Sequence, residues 1–213
     1  MVFVDFERLR AAPLRRDPFD FVVVENFLAA DHVAALIDAF PAISGHGSYP
    51  LATVACPPLF SRLAVELEGD EMRSAIEAKF AIDLRQRPTM ITLRGHSDGK
   101  DGGIHTDSAS KLITVLLYMN REWSDPAGRL RILRGPNDLD DYAAEVPPLP
   151  GMMVAFRRSD ASFHGHYPHV GRRRSIQLNW VTDDSIVRRE IGRHVWSARF
   201  KALNPFGRRS SGD

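Results

Sequence analysis

His105 and Asp107 stand two residues apart in Gly-Gly-Ile-His-Thr-Asp (102–107), and a further histidine, His164, follows 59 residues after the first. In an extended chain, residues i and i+2 project from the same face. One imidazole and one carboxylate can therefore grip a single metal ion without bending the backbone. A third donor from the same short segment would crowd the first two, so it has to come from a neighbouring strand; His164 is the candidate. Two imidazoles and a carboxylate on one face of an octahedral ion leave three positions open, a donor set suited to non-haem Fe(II) and to reaction with O2. Arg173 and Ser175 come nine and eleven residues after His164. They share one face of a strand-like run, and a guanidinium fork beside a hydroxyl suits the carboxylate of an acidic co-substrate.

The neighbouring residues leave some choices open. A second His-x-Asp, His96-Ser97-Asp98, sits in a polar, glycine-rich run that reads as a solvated loop, whereas His105 leads directly into the apolar run Lys111–Asn120. His164 is preferred over His166 and His169 because it alone places Arg-x-Ser at the stated spacing. His166, two residues on, is a candidate substrate contact or a support for the metal site, and His169 caps a turn after Pro168. Arg172 and Arg174 fall on the strand face opposite Arg173, and Arg174 stays as the alternative clamp. Beyond Ser175, Gln177 and Asn179 continue the inward face and are candidate substrate contacts.

The stretch from about Met90 to Val181 resembles the iron- and 2-oxoglutarate-dependent dioxygenases, nearest the prolyl-hydroxylase-like branch. The resemblance rests on five ordered segments: His105-Thr-Asp107; Leu116-Leu-Tyr-Met-Asn120 followed by Trp123; Ala127-Gly-Arg-Leu-Arg-Ile132; Pro150-Gly-Met-Met-Val-Ala-Phe156; and His164 with Arg173-x-Ser175. Ala127 departs from a glycine usual at that place. The resemblance implies Fe(II) on His105, Asp107 and His164. It implies 2-oxoglutarate held by Arg173 and Ser175, with Tyr118 on its distal carboxylate, and O2 as oxidant. It also implies hydroxylation of an unactivated C–H of a protein side chain or small metabolite, with release of succinate and CO2. The same three donors could instead hold zinc for hydrolysis or form a metal-binding interaction module, but those readings give Arg-x-Ser no task.

Composition sets the outer limits. The chain has 213 residues, 44% hydrophobic and 26% charged, enough for one domain with a sizeable core. A net charge of +1 gives no bulk field for nucleic acid or a membrane surface. A single cysteine, Cys56, excludes an intrachain disulfide framework and fits a reducing compartment. No apolar run reaches a membrane span and the N-terminus lacks a signal-peptide core, so a cytoplasmic protein is expected. Oligomeric state is not legible.

These residues need a scaffold, and the pattern supplies one. Phe19–Val24 reads as a strand. Asp31 reads as the N-cap of a helix carrying Val33, Leu36, Ile37 and Phe40 and stopped by Pro41. Leu59–Leu67 and Glu71–Ile82 read as amphipathic helices. From Thr89 the texture changes to short strands: Met90–Leu93, Lys111–Met119, Arg129–Leu133, Met152–Phe156 and Arg174–Val181. Asp138–Pro150, with three prolines, reads as a loop. With Gly95–Gly103 and Trp123–Ala127 it is expected to frame the entrance. The expectation is a single α+β domain over 1–213. A mainly helical support (1–88) buttresses one face of a catalytic barrel core (89–182), a double-stranded β-helix barrel of the jelly-roll, cupin-like kind. A C-terminal helix (183–204) and a disordered tail (205–213) follow.

Overall fold

A computed structural model describes residues 2–203, with side chains to 193; the expected tail at 205–213 lies outside the described residues. The elements are α1 (Phe6–Ala11), β1 (Phe21–Val24), a 3-10 turn (Ala30–His32), α2 (Val33–Asp38), β2 (Tyr49–Pro50), α3 (Pro58–Leu67), α4 (Asp70–Phe80), β3 (Thr89–Ser97), β4 (Lys111–Tyr118), β5 (Leu130–Leu133), β6 (Tyr142–Val146), β7 (Met153–Arg157), β8 (His164–Gly165), β9 (Gly171–Val181) and α5 (Asp184–Leu203). Six strands form one antiparallel sheet in the order β1-β7-β4-β9-β3-β2, and β6-β5-β8 form a second. The two sheets make an open jelly-roll rather than a closed barrel.

Alternation along the central strands divides the large sheet into two faces. Ile91, Leu93, Ile113, Val115, Leu117, Ile176, Leu178 and Trp180 are buried against the helices. On α3, Phe60, Leu63, Ala64 and Leu67 are buried, one stripe at helical spacing. Pro58 starts that helix at its first turn, where its missing N–H costs nothing. On α4, Met72, Ala75, Ile76 and Phe80 are buried. The other face of the sheet carries Thr114, Tyr118, Arg173, Ser175, Gln177 and Asn179. A second apolar cluster, with Phe21, Tyr118, Leu130, Ile132, Val146, Val154 and Phe156, fills one end of the space between the sheets. The polar residues line the rest.

Three expectations are corrected, and one element was not anticipated. Asp31 lies inside the 3-10 turn and caps nothing; α2 begins at Val33 behind His32, which makes no side-chain capping bond. His96 and Ser97 are not loop but the end of β3, with His96 opposite Arg172 of β9. Pairing with that long strand overrides the polar, glycine-rich composition, and a bulge between Arg94 and His96 absorbs the irregularity. β6 occupies part of the segment expected to be loop, because β5 supplies a partner from Leu130↔Val146 to Leu133↔Tyr142. The short helix α1, capped by the Asp5 side chain accepting from Arg8 N at 3.0 Å, was hidden by its length.

Leu63 is fully buried between α3 and the sheet while Val65, two residues on, is 72% exposed. Leu63→Ala is expected to cost about 2–5 kcal/mol of unfolding free energy. Val65→Ala should stay within about 0.5 kcal/mol. Equal midpoints in urea unfolding would show that this helix does not support the sheet.

Candidate metal and co-substrate site

His105 and His164 face each other as an antiparallel backbone pair: His105 N donates to His164 O at 3.1 Å and His164 N to His105 O at 3.0 Å. Their ring centroids are 4.4 Å apart. His164 in turn pairs with Ile132 on β5, so the segment at His105 extends the small sheet by one bridge. Asp107 returns toward the large sheet, its carbonyl accepting from Arg158 Nε at 3.1 Å. One donor atom from each of His105, Asp107 and His164 lies within 4.8 Å of the others. Among the described residues this is the one group of His, Cys, Asp or Glu so arranged.

The tautomers are set by backbone carbonyls. His105 Nδ1 lies 2.8 Å from Gly103 O and His164 Nδ1 lies 3.0 Å from Ser162 O. A carbonyl can only accept, so each Nδ1 carries the proton and each Nε2 keeps its lone pair for a metal. Burial pushes the His164 imidazolium down to about 4, against the opposing pull of Asp107. Burial pushes the Asp107 carboxyl up, but Lys111, His164 and the bonds from Lys111 and Thr114 outweigh it and hold it below the usual carboxylate range. At neutral pH His164 is uncharged and Asp107 is ionised, the protonation states that ligation requires.

Asp107 is gripped on both oxygens. Lys111 Nζ donates to Oδ1 at 2.7 Å and Thr114 Oγ1 to Oδ2 at 2.5 Å. Thr114 Oγ1 is also 3.0 Å from Asn179 Oδ1, and Asn179 Nδ2 has no partner. A hydroxyl has one proton, and an ionised carboxylate can only accept, so that proton belongs to Asp107. Turning the Asn179 amide over then lets Nδ2 donate to Thr114 and gives it the partner it lacks. Gln177, 3.2 Å away, turns with it. Asn179, Thr114 and Asp107 thereby form a chain of bonds that aims the carboxylate. Of the two candidate substrate contacts on this face, Gln177 lines the cavity, while Asn179 is fully buried behind its wall.

Arg173, expected to clamp the co-substrate, is 6% exposed. Its Nε donates to Gly128 O at 2.9 Å and its Nη2 to Tyr118 Oη at 3.3 Å. Among the described residues no carboxylate pairs with it. Gly128 sits at φ +73, and a Cβ there would strike Trp123, so only glycine brings this carbonyl to the guanidinium. Burial pushes the Tyr118 phenol up, partly offset by Arg173. Ser175 lies opposite Tyr118 in the β4–β9 register and lines the same cavity. Arg174 points the other way, to Ile37 O at 3.1 Å and over the Phe40 ring. His169 is held by Asp125 at 2.7 Å and packs at a tilt against the Trp123 ring. The second pair is not assembled: His96 Nδ1 is 2.9 Å from Ile43 O, and Asp98 lies nearer His46, at 3.5 Å.

The cavity between the sheets is about 530 Å3 and is lined by the triad together with Arg173, Ser175, Gln177, His166 and Lys111. Gly102, at φ +101, closes one side; a Cβ there would run into the His166 carbonyl and ring. Lys111, Thr114 and the Gly128 carbonyl were missed from sequence. Lys111 could have been found as the cation four residues after Asp107, and Thr114 as an inward residue of β4 on the face of Tyr118.

Residues 91–182 match the model of the 2OG-Fe(II) oxygenase superfamily. That superfamily uses Fe(II), 2-oxoglutarate and O2, and the hydroxylase-type oxygenases belong to it. No curated protein matches the chain. Among solved structures, a prolyl-4-hydroxylase from Pseudomonas putida aligns with TM-score 0.55 and 21% identity over 84% of this chain and 97% of its own. A prolyl 4-hydroxylase from Phytophthora capsici aligns with TM-score 0.57 and 19% identity over 86% and 68%. HygX from Streptomyces hygroscopicus, with nickel and 2-oxoglutarate bound, aligns with TM-score 0.51 and 15% identity over 76% and 81%. At these identities the likeness is one of fold. The residues fit the superfamily's cofactors on their own chemistry: two imidazoles with Nδ1 on a backbone carbonyl and a carboxylate for the metal, and a buried guanidinium that no acidic side chain among the described residues pairs with for a dicarboxylate.

His105→Ala, Asp107→Ala and His164→Ala should each abolish tight Mn(II) or Co(II) binding in calorimetry, and His96→Ala should not. Thr114→Val keeps the shape and removes the bond to Asp107. It should weaken metal affinity by about 10- to 100-fold. Unchanged affinity in Thr114→Val would mean the carboxylate is oriented by Lys111 alone.

Proposed function

We propose that this protein hydroxylates an unactivated C–H bond of its substrate, converting 2-oxoglutarate and O2 to succinate and CO2 and placing the remaining oxygen atom on the substrate carbon. His105, Asp107 and His164 are the residues that would hold Fe(II). The ion, when bound, supplies the activation of O2 that no side chain can perform. Arg173 takes the distal carboxylate of 2-oxoglutarate, with Ser175 and the neutral Tyr118 hydroxyl beside it. Thr114 and Asn179 keep the Asp107 carboxylate turned to the metal. The small apolar surface from Leu116 and Leu130 suits the methylene chain of the co-substrate.

The observation that carries this reading is Arg173. A guanidinium buried to 6% exposure and bonded only to a carbonyl and a phenol is a poor design for stability alone, because a buried charge without a counter-charge is costly. A dicarboxylic ligand arriving between it and the metal supplies that counter-charge. A hydrolytic zinc centre gives the same arginine no partner. Among the described residues no helix is long and apolar enough to cross a membrane.

The test is a 2-oxoglutarate titration under anaerobic Fe(II), following the visible charge-transfer band that appears when both are bound. Arg173→Ala should weaken 2-oxoglutarate by about 2–5 kcal/mol, or roughly 30- to several-thousand-fold. Arg173→Lys should recover only part, since an ammonium lacks the two-pronged geometry. Arg174→Ala should be mild. A wild-type affinity in Arg173→Ala, or no band with wild-type protein, would sink the reading.

A further inference from the structure

Once Asp107 is given to the metal and Arg173 to the co-substrate, the charges on the cavity wall divide into paired and unpaired. Arg94 is paired with Asp101 at 2.7 Å and Lys111 with Asp107 at 2.7 Å. Lys100 also lines the cavity, and the two acids of its own loop are engaged elsewhere. Asp98 accepts from the Lys100 backbone N–H at 2.8 Å and faces His46; Asp101 accepts from Asp98 N at 3.0 Å and from Arg94. Among the described residues no acidic side chain pairs with the Lys100 ammonium. The loop that carries it is stiff: Asp101 N bonds Asp98 O at 3.0 Å and Gly102 O accepts from His166 N at 2.8 Å. The chain has four lysines, Lys79, Lys100, Lys111 and Lys201, and two of them border this one cavity.

Opposite the loop stands His166, 7% exposed. Its Nδ1 lies 2.9 Å from Tyr167 O, so Nδ1 carries the proton and Nε2 is an acceptor that no group among the described residues fills. Ser48 and Gln177 add further polar atoms, and among the described residues no Phe, Tyr or Trp lines the wall on this side, away from the Tyr118 hydroxyl at Arg173. A peptidyl proline ring or an aliphatic side chain finds little apolar surface here. The volume, about 530 Å3, lies in the range of small-molecule sites, roughly 300–1,000 Å3, and it must hold the co-substrate as well.

We propose that the primary substrate is a small hydroxylated anion, with its carboxylate or phosphate on Lys100 at the mouth and a hydroxyl donating to His166 Nε2. This rests on the oxygenase reading above and adds the substrate class to it. The bond to Lys100 is a charge-assisted one at an open position, so its removal should cost about tenfold in affinity, on the order of 1.4 kcal/mol.

The experiment is calorimetry on the anaerobic Fe(II)- and 2-oxoglutarate-loaded protein with two matched pairs: D-gluconate against D-glucitol, and D-glucose 6-phosphate against D-glucose. The expected result is that at least one anion binds about tenfold more tightly than its neutral partner. Lys100→Ala should erase that advantage and Lys100→Arg restore it. The pair that shows the preference tells carboxylate from phosphate. Equal binding within both pairs, an advantage that survives Lys100→Ala, or no binding by any of the four overturns the proposal. Loading with 2-oxoglutarate is read in the same samples. If the wild-type protein does not take it up, the oxygenase reading fails and this one with it; if it does, a missing anion preference refutes the substrate class alone.

Discussion

The reciprocal backbone pair between His105 and His164 is the constraint on which the site depends. Two residues 59 positions apart are brought opposite each other by two hydrogen bonds near 3 Å, and the imidazoles have no choice but to lie side by side. Side-chain interactions then refine what the backbone has arranged. Gly103 O and Ser162 O fix which ring nitrogen is free, and Lys111 and Thr114 fix the carboxylate. The backbone can hold this register because β8 is tied on its other edge to β5, and β5 is tied to β6. The small sheet is thus a frame for one pair of residues, and the large sheet opposite supplies the third donor's support and the arginine.

Electrostatics then assigns roles to chemically similar groups. Asp107 and Asp101 both border the cavity, yet one is aimed by a buried hydroxyl and the other is neutralised by Arg94. Arg173 and Arg174 are adjacent in sequence. The pleat sends one into the cavity with no counter-charge and the other to a helix carbonyl on the far side. Lys111 stabilises the ionised form of Asp107, which keeps the donor set competent.

Much of this was legible in the sequence because alternation is a local signal. The odd and even faces of β9 follow from Arg173 to Trp180 alone, and the helices at 58–67 and 70–80 follow from their apolar stripes. The triad was legible because its members bracket strand-like runs. What was not legible depends on partners distant in the chain. Tyr142–Val146 is a strand only because Leu130–Leu133 lies beside it, and its Ala-Ala-Glu centre carries no strand preference. His96 looked like a loop residue until β9 paired with it. Asn179 was a candidate substrate contact because it shares a face with Arg173; its depth, set by Thr114 above it, is a property of packing that periodicity cannot report. The Gly128 carbonyl that orients Arg173 has no signature beyond the glycine.

β9 carries two incompatible sets of demands on one strand. Its even positions Ile176, Leu178 and Trp180 belong to the core, and its odd positions Arg173, Ser175, Gln177 and Asn179 belong to the site or its supports. A shift of a single residue would exchange the two sets at once, since the side-chain period is two. Insertions and deletions are therefore closed to this strand. Any drift in what the protein acts on has to be written in the mouth, in the side chains of the Asp98–Asp101 turn and of the tip around Ser48, because Gly102 and Gly103 are bound to His166 and His105. The fold separates a conserved-by-geometry interior from an editable rim, so descendants of this chain can acquire new substrates while keeping the same chemistry.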